Sequence, residues 1–334
     1  MRNLRTEQEI MATWKGDVAT PVVSIDCITY NHELYIEDAL EGFLIQDTDF
    51  PIEVLIHDDA STDRTPNIIR QYEAAYPHII KPVYQTYNQY SQGKHISTEF
   101  NFTRVLGKYI AMCEGDDFWI DSKKLQKQIN YMNKYKKTNI SFHPSLEKSN
   151  KISNANKIIC YFDKKINFFP VEKVIEGGGS FMPTSSIVFK KECLLKISEF
   201  TYNYNPFVGD LVIQSMASLP GGALFIPDVF SCYRRLVPGS WSDRNSSPQS
   251  TVLNMKKLKK FYMDLLEVCP QYKRSIYKAI MFRNILTGMS FLSKFKIYYG
   301  LYFLACSVRY MDWFLVKNNS GADSQLIKPA KADK

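Results

Sequence analysis

The sequence predicts an α/β protein, a mainly parallel sheet flanked by helices and followed by a C-terminal helical region. Three observations carry that expectation. Short apolar strand patterns alternate with helical ones through the first half of the chain, as crossover connections require. The polar clusters between them fall just after the strands. Beyond residue 250 the periodicity is helical alone.

Taken in order, residues 22–28 form a buried strand ending at Thr29-Tyr30-Asn31, and residues 34–46 carry helical spacing through Leu34, Ala39, Leu40, Phe43 and Leu44. A second strand over 52–57 closes at Asp58-Asp59-Ala60-Ser61-Thr62-Asp63. The helix at 66–76 has Pro66 near its start, where proline is tolerated. Strands at 79–85 and 108–113 follow, the latter ending at Glu114-Gly115-Asp116-Asp117, and Asp121 is placed to cap a helix over 123–135. Residues 141–176 give a weaker signal, Lys/Asn-rich turns around two strands. Gly177-Gly178-Gly179 opens a segment that runs into Ser185-Ser186-Ile187-Val188-Phe189, Asp210 opens a helix over 211–219, and strands at 223–226 and 229–233 complete the α/β part. The expected organisation is an N-terminal extension (1–19), an α/β domain (20–245), a basic, aromatic-rich helical region (246–316) and a disordered tail (317–334).

Composition bounds the function. The 334 residues are 45% hydrophobic and 23% charged, which excludes a disordered or collagen-like chain. No window holds ~18 uninterrupted apolar residues, and the N-terminus is polar, so neither a spanning helix nor a secretory signal is expected. Seven singly scattered cysteines suit reduced thiols in a cytoplasmic protein better than disulfides or a zinc site. The net charge of +8 is uneven: residues 251–334 hold 15 Lys/Arg against 5 Asp/Glu, with 14 aromatics, while the first 250 hold 27 against 29. Basic and aromatic together suit nucleic acid or an acidic membrane surface. Nucleic acid is disfavoured, because the helices are mostly apolar and show no helix-turn-helix or stacking-platform pattern. The apolar run at 285–316 is interrupted by Lys294, Lys296 and Arg309, so it suits an interfacial position, or packing on the rest of the chain or a second subunit.

Ligands of such sheets gather beyond the carboxyl ends of the strands, so Thr29-Tyr30-Asn31, Asp58-Asp59 and Asp116-Asp117 should converge on one rim. Adjacent carboxylates repel, and a divalent cation relieves that repulsion. Hard oxygen ligands suit Mg2+ or Mn2+, which keep waters and take phosphate oxygens. The plain alternatives are a solvated acidic turn at Asp116-Asp117 and a capping turn at Asp58-Asp63. A carboxylate in the latter could instead accept a nucleobase N–H. The order of the two clusters, about 60 residues apart, favours a site.

Residues Pro21-Val22-Val23-Ser24-Ile25 to Tyr30-Asn31, then Glu53-Val54-Leu55-Ile56-His57-Asp58-Asp59-Ala60-Ser61-Thr62-Asp63, then Glu114-Gly115-Asp116-Asp117, resemble the family-2 glycosyltransferases over roughly residues 20–240. The resemblance implies the GT-A (Rossmann-like) fold, a nucleotide-diphosphate-sugar donor, a divalent metal (Mn2+ or Mg2+) and inversion. It implies that Thr29, Tyr30 and Asn31 cradle the nucleotide, with Glu33 beside them, and that Asp59 recognises the base, with Asp58 its neighbour. Asp116 then lies near the ribose and Asp117 ligates the metal, in a contiguous variant of the DxD motif. Asp210, in Gly209-Asp210-Leu211-Val212-Ile213-Gln214, takes the place of the catalytic base; without the resemblance it reads as an ordinary N-cap. Tyr233-Arg234-Arg235 and Gly239-Ser240-Trp241-Ser242 are similar to the segment that closes over the diphosphate. Trp119 and Trp241 are candidates for stacking on sugars, though core packing is the commoner fate of tryptophan. His32, His57, His78, His95 and His143 show no ligand spacing. The expected function is sugar transfer, from a UDP-sugar, to a glycan or lipid-linked acceptor in surface polysaccharide synthesis. Its place is the cytoplasm, peripheral on the inner face of the membrane, with no nucleic-acid partner. The rivals are a catalytically silent nucleotide-sugar-binding regulator of the same fold and, less favoured, a nucleic-acid binder.

Overall fold

The long apolar runs form the centre of the sheet. Strands β1 (Val23–Thr29) and β2 (Ile52–Asp58) pair in parallel over seven residues, from Val23 opposite Ile52 to Thr29 opposite Asp58. Strand β3 (Ile80–Tyr84) continues the parallel order beyond β2, and β4 (Tyr109–Met112) beyond β1. Every residue of β2 is buried, as a parallel sheet covered on both faces demands. The computed structural model describes residues 4–149, 157–238, 240, 243, 247–294, 296–308 and 310. The expected tail at 317–334, and Gly239, Trp241, Ser242 and Arg309, lie outside them.

The crossovers are helical where the spacing predicts it: α2 (Ile36–Leu44), α3 (Thr65–Ala75) and α4 (Lys124–Lys134), preceded by a short α1 (Glu7–Met11). Helix α1 carries a reciprocal capping box between Thr6 and Glu9 and buries Ile10 in the main core. The first 19 residues therefore contribute to packing, a role their polar composition does not announce. Asp121 serves the start of α4 by accepting from the Lys123 amide at 2.7 Å, one residue ahead of the helix.

Beyond β4 the direction changes. Strand β10 (Val188–Lys190) lies antiparallel between β4 and β6 (Ile140–Phe142), β11 (Ala223–Phe225) runs parallel to β6, and β9 (Asn167–Phe169) forms the far edge. A second sheet is built from β5 (Phe118–Trp119), β12 (Ser231–Arg234), β7 (Ser145–Lys148) and β8 (Lys157–Ile159). The segment expected to hold two strands thus holds four, because strands of three or four residues are too short for an alternating pattern to show. Helices α5 (Val171–Gly177), α6 (Leu194–Tyr204) and α7 (Gly209–Ala217) flank this half.

The described chain divides into two compact units between Ser275 and Ile276. Helix α8 (Pro248–Val268) belongs to the first unit, where Phe261 and Tyr262 are buried and the Tyr262 hydroxyl donates to the Ile175 carbonyl at 3.1 Å. The second unit contains most of α9 (Lys273–Ser293) and all of α10 (Ile297–Val308). These two helices cross closely: a side chain on Gly300 would fall 2.5 Å from Leu292 and 3.1 Å from the Gly288 carbonyl. Among the described residues no helix is long and apolar enough to cross a membrane.

Candidate active site

The loops after β1 and β2 are cross-braced. Asn31, in the left-handed region at φ 54°, donates its amide to Ser61 Oγ at 2.8 Å and accepts the Thr62 amide on Oδ1 at 2.8 Å. Asparagine tolerates that conformation better than most side chains. The His32 amide donates to Thr65 Oγ1 at 2.8 Å, and the Glu33 amide to Asp63 Oδ2 at 3.0 Å. Burial alone would raise the Asp63 pKa, but donation from Thr65 and Glu33 outweighs it and leaves the carboxyl below its usual value.

Asp58 and Asp59, adjacent and both buried, have different surroundings. Asp59 accepts the amides of Gln89 at 2.7 Å and Tyr90 at 3.0 Å, with His57 Nε2 3.4 Å from the same carboxylate. Asp58 Oδ1 is buried with no hydrogen-bond partner, and burial pushes its pKa up against the help of Ser61.

The loop after β4 lies directly on the end of β1. Gly115 donates its amide to the Ile28 carbonyl at 2.9 Å, and a side chain there would fall 2.6 Å from Thr29 Oγ1 and 3.0 Å from His32 Nδ1. Only glycine permits that approach. It brings Asp116 Oδ2 to 4.0 Å from His32 Nε2, while His32 Nδ1 is 3.1 Å from the Thr29 hydroxyl. Burial lowers the His32 pKa although Asp116 opposes it. Sequence spacing gave no reason to place His32 in a site; contact with Thr29 and Asp116 does.

Asp117 is 1% exposed and accepts the Arg234 amide on Oδ1 at 2.8 Å. Its Oδ2 is buried and lacks a hydrogen bond, the neighbouring Ser185 hydroxyl donating instead to Ser231 at 3.2 Å. Burial, then the Asp116 charge, push the Asp117 pKa well above the carboxylate range. Glu114 is raised the same way, by burial first and then by the charges of Asp116, Asp117, Asp210 and Asp26. That influence of Asp210 links a residue near position 210 to the loop after β4. Asp210 is the second residue of α7, half-buried, accepts the Leu211 amide on Oδ1 at 2.7 Å, and lies beside Gly179. Burial raises its pKa to about 6.

Arg234 is fully engaged. Its Nη1 donates to the Asp116 carbonyl at 2.9 Å, its Nη2 pairs with Asp38, and its guanidinium lies 4.3 Å from the Phe118 ring centroid. It therefore clamps the acidic loop; Arg235 is 3.7 Å from Glu147. Trp119 is a core residue rather than a sugar platform: it is fully buried, donates Nε1 to the Ser185 carbonyl at 2.9 Å, and packs edge-on against Phe43. Tyr30 is 42% exposed on the rim. Tyr233, which the sequence did not single out by itself, has its phenol pKa raised by burial and by Asp117, Glu114 and Asp116, which places it in the same field.

Among the described residues no three His, Cys, Asp or Glu side chains are gathered closely enough to hold a metal ion by themselves. The orphan Oδ2 of Asp117 among crowded carboxylates fits a different arrangement, a hard cation taking most of its ligands from phosphate and water.

A model of the family described as Glycosyl transferase family 2 matches residues 24–196. An uncharacterized protein of Mycobacterium tuberculosis is 33% identical over 228 residues, 66% of this chain and 60% of that protein. The dTDP-rhamnosyl transferase RfbG of Shigella flexneri is 29% identical over 199 residues, 56% of this chain and 61% of its own. The matched region thus spans about 60% of the length of these relatives. The crystal structure of S. aureus TarS 1-349 in complex with UDP-GlcNAc is similar at TM-score 0.54 and 14% identity, covering 86% of this chain and 91% of that one.

Proposed function

We infer the activity from the chain's kinship: it belongs to glycosyl transferase family 2 and has the GT-A fold. The proposed reaction transfers a sugar, with inversion, from a nucleotide-diphosphate donor to a glycan or lipid-linked acceptor in surface polysaccharide synthesis. The observation that supports it is that the Asp210 charge, with those of Asp116 and Asp117, raises the buried Glu114 carboxyl.

Thr29, Tyr30 and Asn31 are the proposed nucleotide cradle, and their bracing to Ser61 and Thr62 supports it. The base end lies at Asp58 and Asp59. A carboxylate has about four lone-pair positions, so Asp59 keeps acceptor capacity beyond Gln89, Tyr90 and His57, and Asp58 Oδ1 is unpartnered. Such acceptors suit the N–H edge of uracil, and hence a UDP-sugar; the donors named for RfbG and TarS carry that edge. Asp116 is assigned to the ribose, and Asp117 to Mn2+ or Mg2+, whose chemistry when bound is to offset charge on the leaving diphosphate. Arg234 holds both aspartates in place through the Asp116 carbonyl and the Asp117 carboxylate.

Asp210 is the proposed base. The acceptor hydroxyl oxygen bonds to the anomeric carbon, the bond from that carbon to the diphosphate oxygen breaks on the opposite side, and the hydroxyl proton passes to the Asp210 carboxylate. A pKa of about 6 leaves Asp210 ionised at pH 7 yet close enough to the working pH to accept a proton. The proposed setting is the cytoplasm, with a membrane surface as a further partner and no nucleic acid. The test is nucleotide release from a panel of nucleotide sugars, with and without manganese. Release that needs both the metal and one donor supports the reading. Binding of a donor without release under any condition would leave a silent nucleotide-sugar-binding regulator.

A further inference from the structure

The second unit is free of acidic side chains over its described length. Residues 276–308 contain Lys278, Arg283, Lys294 and Lys296 and neither Asp nor Glu. The crossing at Gly288 and Gly300 leaves α9 with Phe282, Leu286 and Met289 on one exposed face, at spacings of four and three. Helix α10 exposes Ile297, Leu301 and Val308 along one stripe, with Tyr298, 78% exposed, beside it. Lys294 and Lys296 are both exposed and stand in the turn between the helices, next to Ile297.

We propose that this hairpin docks on an anionic lipid surface, its apolar faces in the headgroup boundary and its turn lysines among anionic headgroups. It rests on the proposed function only in placing a lipid-linked acceptor on that same surface. Charge complementarity selects the occupant. A second copy packed on this face would bring the basic turn of Lys294 and Lys296 against its own counterpart, like charge against like charge. An anionic bilayer supplies opposite charge to that turn and covers apolar helix faces without being crossed. The structure agrees on the second point, since no described helix is long and apolar enough to span.

The experiment is flotation of the full chain with phosphatidylcholine vesicles, with and without phosphatidylglycerol, at low and high salt. The expected result is flotation with phosphatidylglycerol at low salt, lost at high salt or on phosphatidylcholine alone. Lys294→Glu/Lys296→Glu should lower partition by about 30-fold or more, from the loss of two favourable cations. Leu286→Asp/Leu301→Asp should also stay at the bottom; if it fails to fold by circular dichroism, the lysine pair, at exposed positions, decides alone. Nucleotide release from a soluble donor should be unchanged in the lysine variant, so loss of docking and loss of sugar transfer are read separately. Failure of the wild-type chain to float on anionic vesicles would overturn the proposal. So would equal flotation of the lysine variant, or a dimer seen by light scattering that the apolar variant dissolves while neither protein binds vesicles.

Discussion

The two acidic loops at the carboxyl ends of β2 and β4 occupy equivalent places in the sheet and are satisfied in opposite ways. Asp59 and Asp63 receive backbone amides from Gln89, Tyr90, Thr65 and Glu33, and the Asp63 pKa falls below the ordinary range. After β4, Asp117 has one amide and one orphan oxygen, and Glu114 is pressed by four aspartates, Asp116, Asp117, Asp210 and Asp26. Amides turn a carboxylate into part of the framework; crowding without donors leaves an electrostatic debt that a cation or a proton must settle. The loop after β2 is thus built mostly by the protein, whereas in the proposed function a cation would complete the loop after β4.

The sharpest way to test that contrast is Asp210, which adds to the field on Glu114. Asp210→Asn should lower the transfer rate about 10³- to 10⁴-fold while donor affinity holds, as general-base removal does. In the unmutated chain, rate should fall as pH drops through about 6, because the raised pKa leaves the base protonated below that point. A kcat profile flat from pH 5 to 8 would break the assignment.

Asp117→Asn should separate activity from stability. Loss of the cation-holding charge should reduce metal-dependent turnover about 10²-fold or more. Because the folded state binds the Asp117 proton more tightly than the unfolded chain, the residue's unfavourable contribution grows as pH rises above the unfolded value. At pH 7 the variant should therefore melt higher than the parent, by about 2–4 °C per kcal/mol recovered. A lower melting temperature without metal would show that Asp117 is framework after all.

Asp59→Ala should do the reverse. It removes the acceptor of two part-buried amides, and should destabilise the fold by about 1–3 kcal/mol in urea unfolding, with weaker donor binding following. Asn31→Ala is the smallest step: it removes the acceptor for the Thr62 amide and places alanine at φ 54°, for a loss of about 1–2 kcal/mol. If calorimetry shows either variant as stable as the parent, the loops are less braced than their hydrogen bonds indicate.

The parallel half of the fold is legible in the sequence because its strands are long apolar runs closed by polar clusters; Ile52–Asp58 is expected at 52–57. The antiparallel half is less so: β6, β8, β9 and β10 are three-residue strands, too short for an alternating pattern to show, although β11 (Ala223–Phe225) is expected at 223–226. Of the site, the acidic clusters are visible as charge at strand ends. His32 is not, because its neighbours are set by the missing side chain of Gly115. Arg234 is singled out by the resemblance, but its pairing with Asp117 and Asp38, 117 and 196 positions away, is not visible. Asp210 begins a helix like any N-terminal aspartate, and only its spatial relation to Glu114 distinguishes it.

The bracing of Asn31, His32 and Glu33 to Ser61, Thr65 and Asp63 has a kinetic meaning. A surface already frozen in its working shape loses little conformational freedom when occupied, so in the proposed function a nucleotide would meet a ready-made seat instead of assembling one. Donor capture would then approach a single bimolecular encounter, and the slower adjustments of the proposed cycle would fall to other parts of the chain.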